Sequence, residues 1–385
     1  MKIFKLIFKN ILRHKLRSIL TVTGIGIVVM AFVLLRTVLS AWDIALDQAS
    51  PNRLITRHAV SFIFPLPLSY KEKITAIPGV TGITYMNWFQ GVYIDENNFF
   101  TRIAVDVESV FDIYPEYIVP PDQLAVFKKE RNACVIGSKT AEKFKLKIGD
   151  IVQVRGDIYP GEYQFVVRGI YKGRDRITDE TQLMFHWEYL DERMLQDMPA
   201  RAGQVGWYAI RIANPADAAR ISMAVDALFN NSPAETKTET EKAFTQGFIS
   251  MSSAIITAME FVSYIIIGII LMVLANTMVM TARERIREYA VLKTLGFSAY
   301  HIVGLIAGES LVISILGGTV GLLLASPVVS GVSLELSSMF PVFEIQTQTL
   351  INAGMFALFV GITAALFPIY RALNTKIVDG LRQVG

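Results

Sequence analysis

Catalysis and metal binding need nucleophiles, bases or ligands at workable spacings, and this chain offers few. Its four histidines, His14, His58, His186 and His301, are scattered through 385 residues. None stands in a metal-binding pattern such as H-E-x-x-H, so structural roles are expected for all of them. Cys134 is the single cysteine, which excludes an intrachain disulfide and a cysteine metal cluster. It lies inside the apolar run ACVIG, where a buried, inert thiol is expected. No G-x-S-x-G frames a serine. GSKT at 137–140 carries the last residues of a phosphate loop but lacks the upstream glycine and the spacing that let backbone N–H groups cradle phosphates, so ATP binding by that route is excluded. The remaining concentration is one of charge. In RERIREYAVLKTLGFSAYHIVGLIAGESL, residues 283–311, Arg283, Glu284, Arg285, Arg287, Glu288 and Lys293 crowd into three helical turns between two uncharged stretches.

Those stretches belong to the elements that must position the charges. Apolar residues make up 52% of the chain and charged residues only 18%, against roughly 45–50% and 25% in ordinary soluble proteins. A bilayer core about 30 Å thick needs about 20 apolar residues in a helix. Four segments qualify, at 19–42, 251–282, 299–332 and 350–371. The basic flanks set their orientation: Lys2, Lys5, Lys9, Arg13, Lys15 and Arg17 precede the first span, the 283–298 segment joins the second and third, and Arg371, Lys376 and Arg382 follow the fourth. All three regions are expected in the cytoplasm, with the 333–349 connection and the large 43–250 segment outside. Nothing like A-x-A follows the first span, which is expected to remain uncleaved. In residues 1–18, lysines and Arg13 share one helical face and Ile3, Phe4, Ile7, Phe8 and Ile11 the other. Such a pattern suits either a helix lying in the inner membrane interface or an ordinary basic flank. Residues 372–385 form a cytoplasmic tail. With a net charge of +3 and no basic run interleaved with aromatics, nucleic acid is not an expected partner.

The outer segment reads as mixed α/β. ACVIG (133–137), DIVQVRG (150–156) and YQFVVRGIY (163–171) are β-branched and alternating, as strands are. SKTAEKFKLK between them predicts a helix capped by Ser138, and further helices are expected at 70–76 and at 215–229, the latter capped by Asn214. The stretch NNSPAETKTETEKAF (230–244) reads as a polar return to the membrane. Inside the third span Glu309 is expected to bond helix ends or a neighbouring arginine rather than to carry ions. The pairs Gly304/Gly308 and Gly317/Gly321 permit close helix approach, within one chain or between two. The 283–298 segment itself predicts a helix with Glu284–Arg287 and Arg285–Glu288 pairs, Gly296 as its stop and Ser298 as the next cap.

These residues resemble a family. RERIREYAVLKTLGFSAYHIVGLIAGESL is similar to the cytoplasmic-loop signature of MacB/FtsX-type (type VII) ABC transporter permeases. IPGVTGI (77–83), VIGSKTAEKFKLKIGDIVQV (135–154) and FVVRGIY (165–171) resemble that family's extracytoplasmic domain. The resemblance implies an α-helical integral membrane protein with four transmembrane helices and a MacB-like α/β domain between the first and second. It implies a permease subunit, unfused to its ATPase and without enzymatic activity of its own, residing in a bacterial inner membrane with both termini cytoplasmic. Two copies of an ABC ATPase, which hold ATP and Mg, and a second permease chain, identical or homologous, are the implied partners, together with membrane lipid and an adaptor or substrate outside. No cofactor is implied on this chain. ATP hydrolysis would drive motion of the outer domain for export or extraction of a substrate from the envelope. The alternatives are an FtsX-like regulator of an envelope partner and, further off, a membrane-anchored enzyme. By the same resemblance Arg283, Arg285, Ile286, Arg287, Glu288, Tyr289, Leu292 and Gly296 would couple to the ATPase. Ile286, Tyr289 and Ala290 are expected in its groove, with Arg285, Arg287 and Glu288 on the rim.

Overall fold

The computed structural model describes residues 13, 15–47, 49–96, 98–336, 340 and 342–374. The expected interfacial helix over 1–18 falls largely outside them, as do His14 and most of the 372–385 tail. The described chain forms two compact units, one of residues 41–253 with 333–343, the other built from the remaining segments.

The first unit is organised by a ten-stranded mixed sheet. Its strands, with the short pair β2 and β10, are β1 (Arg53–His58), β2 (Leu66–Pro67), β3 (Val80–Trp88), β4 (Arg102–Val105), β5 (Tyr117–Ile118), β6 (Ala133–Gly137), β7 (Ile151–Gly156), β8 (Gly161–Gly173), β9 (Leu183–His186), β10 (Gln204–Val205), β11 (Trp207–Ile212) and β12 (Thr236–Thr240). The order across the sheet is β12-β1-β11-β3-β4-β9-β6-β8-β5, with β7 also pairing β8. β6 runs parallel to β8 and antiparallel to β9, and all five of its residues are buried. A near-continuous apolar run is what a strand covered on both faces requires. Aromatic side chains fill one face: Phe89 lies edge-on to Tyr163 and Phe185 at 4.8 and 5.1 Å.

The helices, in chain order over both units, are α1 (Lys15–Asp47), α2 (Tyr70–Thr75), α3 (Val110–Ile113), α4 (Pro121–Lys129), α5 (Ser138–Phe144), α6 (Trp187–Asp197), α7 (Ala218–Leu228), α8 (Glu241–Met251), α9 (Ser253–Glu284), α10 (Ile286–Thr294), α11 (Ala299–Leu336) and α12 (Thr347–Asn374). Asn214 Oδ1 accepts from Ala216 N at 3.1 Å, capping the turn that opens α7. Ser138, expected as a cap, is instead the first residue of α5: Gly137 is the extended residue before it, and the Ser138 hydroxyl donates to Glu180 Oε2 at 2.6 Å. The supposed polar return at 230–244 is also corrected, because it holds β12 and the start of α8. Thr236 and Thr238 face inward and bond Asp226, and Thr238 meets Thr56 of β1 hydroxyl to hydroxyl at 2.9 Å. These hydroxyls find partners, so a strand almost free of apolar residues can be buried there.

In the second unit α1, α9, α11 and α12 are each long and apolar enough to cross a bilayer. Ile25, Val29, Phe32, Ile270, Leu274, Ile313, Val360 and Ala364 form their shared core. Contact is closest where α11 crosses α1: a Cβ on Gly317 would lie 2.5 Å from Ile25 Cγ2, and one on Gly321 would lie 2.7 Å from the Gly26 carbonyl oxygen. Glycine is required there because no larger residue lets the two backbones approach. The other pair, Gly304 and Gly308, is corrected as a crossing point within this chain. Gly304 is exposed, and a Cβ on it would meet nothing within 4 Å. Gly308, one turn further on, is only half-buried, although its neighbours Glu309 and Ser310 are buried. The physical reason is their place near the start of α11, ahead of the Gly317–Gly321 stretch where α1 comes closest.

Candidate coupling site

The helical run of α9 is interrupted at Arg285, whose φ of −105° and ψ of 8° leave the helix, and α10 begins one residue later. Arg285 is buried, and its Nη1 donates to Glu309 Oε2 of α11 at 2.7 Å, both side chains being less than a tenth exposed. Glu284 receives Arg17 Nη1 of α1 at 2.7 Å, and Glu288 receives Arg13. The described ion pairs of this segment therefore run between elements in place of the i,i+3 pairs expected along one helix. Lys293 Nζ donates to the carbonyls of Ala372 and Leu373, at 3.1 and 3.0 Å, so the last turn of α12 is held by a cation where its unpaired carbonyls concentrate negative charge.

The stop at Gly296 has a defined geometry. Its φ is +85°, Gly296 N donates to Lys293 O, and Phe297 N donates to Leu292 O at 3.0 Å. These two bonds are those of a Schellman motif. Ser298 Oγ meets His301 Nδ1 at 2.7 Å.

Of the apolar face expected to point outward, Tyr289 and Ala290 are used inside the chain, whereas Ile286 is half-buried. Tyr289 and Ala290 are buried against Ala282, Ile302, Ile306, Ala365 and Ala372, with half-buried Leu292 packed on the same cluster. Burial lifts the Tyr289 phenol to about 12. Arg285, expected on a rim, lies in the interior. A short helix between two spans has to bury its apolar face, and its own neighbours supply the nearest surface. The exposed residues of this corner include Arg283, Glu284, Arg287 and Glu288 together with the apolar Val291, Leu295, Phe297 and Tyr300, of which Tyr300 is 87% exposed. Sequence reasoning missed these four apolar residues. Their signal is their position, around a glycine stop where a solvated turn would be polar.

Elsewhere the residues with chemical potential are structural. His186 is buried and its Nε2 meets Phe127 O at 2.6 Å. The same imidazole, its Nδ1 3.7 Å away, helps hold the Glu188 carboxyl below its usual range against the opposing effect of burial. Burial pushes the Cys134 thiol far above its usual range, leaving no thiolate at neutral pH. Among the described residues no group of three His, Cys, Asp or Glu side chains converges on a metal position.

The comparisons with known proteins agree with this architecture. Residues 260–377 match the FtsX-like permease C-terminal model, and residues 18–228, more than half of the chain, match the MacB-like periplasmic core domain. The chain belongs to the MacB/FtsX-type ABC transporter permeases. The permease is 23% identical to the uncharacterized ABC transporter permease MJ1507 of Methanocaldococcus jannaschii over 97% of its own length and 96% of the relative's. It is 23% identical to the uncharacterized ABC transporter permease YvrN of Bacillus subtilis, covering 97% and 98% of the two chains. The extracellular domain of the ABC-type transporter YknZ is a similar solved structure, matched over 49% of this permease and all of that domain at 12% identity and a TM-score of 0.36.

Proposed function

We propose that this permease converts ATP hydrolysis by a separate ATPase into motion of its 41–253 unit, for export or extraction of a substrate from the envelope of a bacterial cell. In this reading both termini and the α10–α11 corner are cytoplasmic, two permease chains act with two ATPase copies, and the ATPases carry ATP and Mg. The observation that supports it is the combination found at that corner. A docking element has to present apolar anchors and at the same time be fixed to what it moves. Val291, Leu295, Phe297 and Tyr300 supply the anchors. Arg17–Glu284 at the end of α9, Arg285–Glu309 at the break and the Lys293 contacts of α10 tie this corner to α1, α11 and α12, so a push on it is delivered to three spans together. A conformational change driven in this way requires contacts that differ between two nucleotide states of the ATPase.

Copurification of the ATPase with the detergent-solubilised permease tests this. A central aromatic anchor carries much of an interface's energy, so Tyr300→Ala should weaken association by about 2 kcal/mol, or about thirtyfold. The exposed Arg283→Ala should cost well under 1 kcal/mol. Full retention and stimulation of the ATPase by Tyr300→Ala combined with Leu295→Asp would overturn the assignment of this corner.

A further inference from the structure

The connection from β1 to β2 is short, uncharged and apolar: AVSFIFP, residues 59–65. Val60, Ile63 and Phe64 are 77%, 88% and 51% exposed. Single exposed apolar residues are ordinary, but a contiguous group marks a contact surface. The loop is held in shape. Phe62 turns the opposite way and packs on Trp207, Phe244 and Phe248 at 5.0, 5.4 and 5.8 Å. Ala59 N donates to Glu235 O and Phe64 N to Ser61 O, while the Phe64 ring lies 5.3 Å from that of His58. Through Phe62 the loop is fastened to α8, which itself exposes Phe248 and Met251.

We infer that this loop and the end of α8 form a lipid-contacting surface that touches the outer leaflet of the bilayer. Two observations point to lipid. The first is reach: α9 has 32 residues, so it is about 48 Å long, whereas a bilayer with its headgroup regions is about 40–45 Å thick. Its first residue, Ser253, accordingly stands at the outer headgroup level, and Phe248 precedes it by only five residues of chain, at most about 18 Å of backbone across the helix break at Ser252. The second is composition. Protein-binding surfaces concentrate Trp, Tyr and Arg and carry a polar rim. The exposed residues here are Val, Ile, Phe and Met, and no charged residue occurs from Ala59 to Ser69. Aliphatic and Phe side chains without charges are what an interfacial apolar face buries among headgroups and upper acyl chains.

The test uses the full chain in phosphatidylcholine nanodiscs, with and without 5-doxyl phosphatidylcholine. An environment-sensitive fluorophore is attached at Ile63→Cys and, for comparison, at Ile118→Cys in β5, the strand at the far edge of the sheet from β1 and β12. Buried Cys134 does not compete for label. The label at 63 should lose at least half its emission to the doxyl lipid and be quenched by aqueous iodide several-fold less than the label at 118. A label on Val60→Cys should show the same pattern. Free quenching by iodide at 63 with no effect of the doxyl lipid would place the loop in water and overturn the inference. Protection at 63 from both quenchers would mean that protein covers it, a second copy of this chain included, and would overturn it equally.

Discussion

Arg285 and Glu309 are two charges in a place with little water, and each makes the other tolerable. Removing one partner of such a pair leaves an uncompensated buried charge and costs about 3–5 kcal/mol, whereas replacing both by apolar residues of similar volume is often neutral. Glu309→Ala should therefore lower the stability of the solubilised chain by that amount, and Arg285→Met with Glu309→Met should recover most of it. Denaturant midpoints of the two variants check this, and a double variant as unstable as the single would show that the pair does more than neutralise itself. The sequence narrowed the partner of Glu309 to a helix end or an arginine. Choosing Arg285 over Arg283 or Arg287 depends on where α9 breaks, and no glycine or proline marks that break. The ion pairs across elements were hidden for the same reason: spacing along one helix says nothing about a neighbour brought in by the fold, such as Arg17 of α1.

The two small-residue pairs of α11, Gly304/Gly308 and Gly317/Gly321, look alike in sequence and differ at the level of helix packing. Gly317→Ala would drive a Cβ to 2.5 Å from Ile25 Cγ2, and overpacking of that kind costs about 1–3 kcal/mol. Gly304→Ala meets nothing within 4 Å and should gain up to about 1 kcal/mol of helix propensity. Thermal unfolding of the two variants should shift in opposite directions, and equal losses would contradict the packing described. Strands β6, β7 and β8 were legible because β-branched residues alternate between glycines. β12 was not, since TKTET alternates threonine with charge and its inward side chains are satisfied by Asp226 and Thr56, which no local pattern reveals. The outward face of α10 was misread because an apolar stripe shows that a face is buried without saying whether the chain or a partner covers it.

For the molecule as a whole, four spanning helices with a long segment between the first two were readable from hydropathy alone, because a bilayer imposes a length that soluble cores do not, and the α/β character of that segment was readable from strand alternation and helix patterns. The substrate left no comparable trace, since a surface that handles a partner by shape needs no fixed constellation of residues. The purified chain, free of any ATPase, should show no ATP turnover above background in a phosphate-release assay, and hydrolysis that stays with this single chain through size exclusion would contradict the division of labour proposed. The first and last strands of the sheet, β1 and β12, are neighbours, with Leu54 opposite Thr240, and Arg53 binds both Glu241, the first residue of α8, and Glu116 at 2.9 and 2.7 Å. The chain thus enters and leaves the sheet at one doorway. An insert whose two ends meet can be exchanged as a cassette without disturbing its host, so one bundle of spans can acquire a different α/β unit by recombination at this doorway, provided the arginine and its two glutamates travel with the insert.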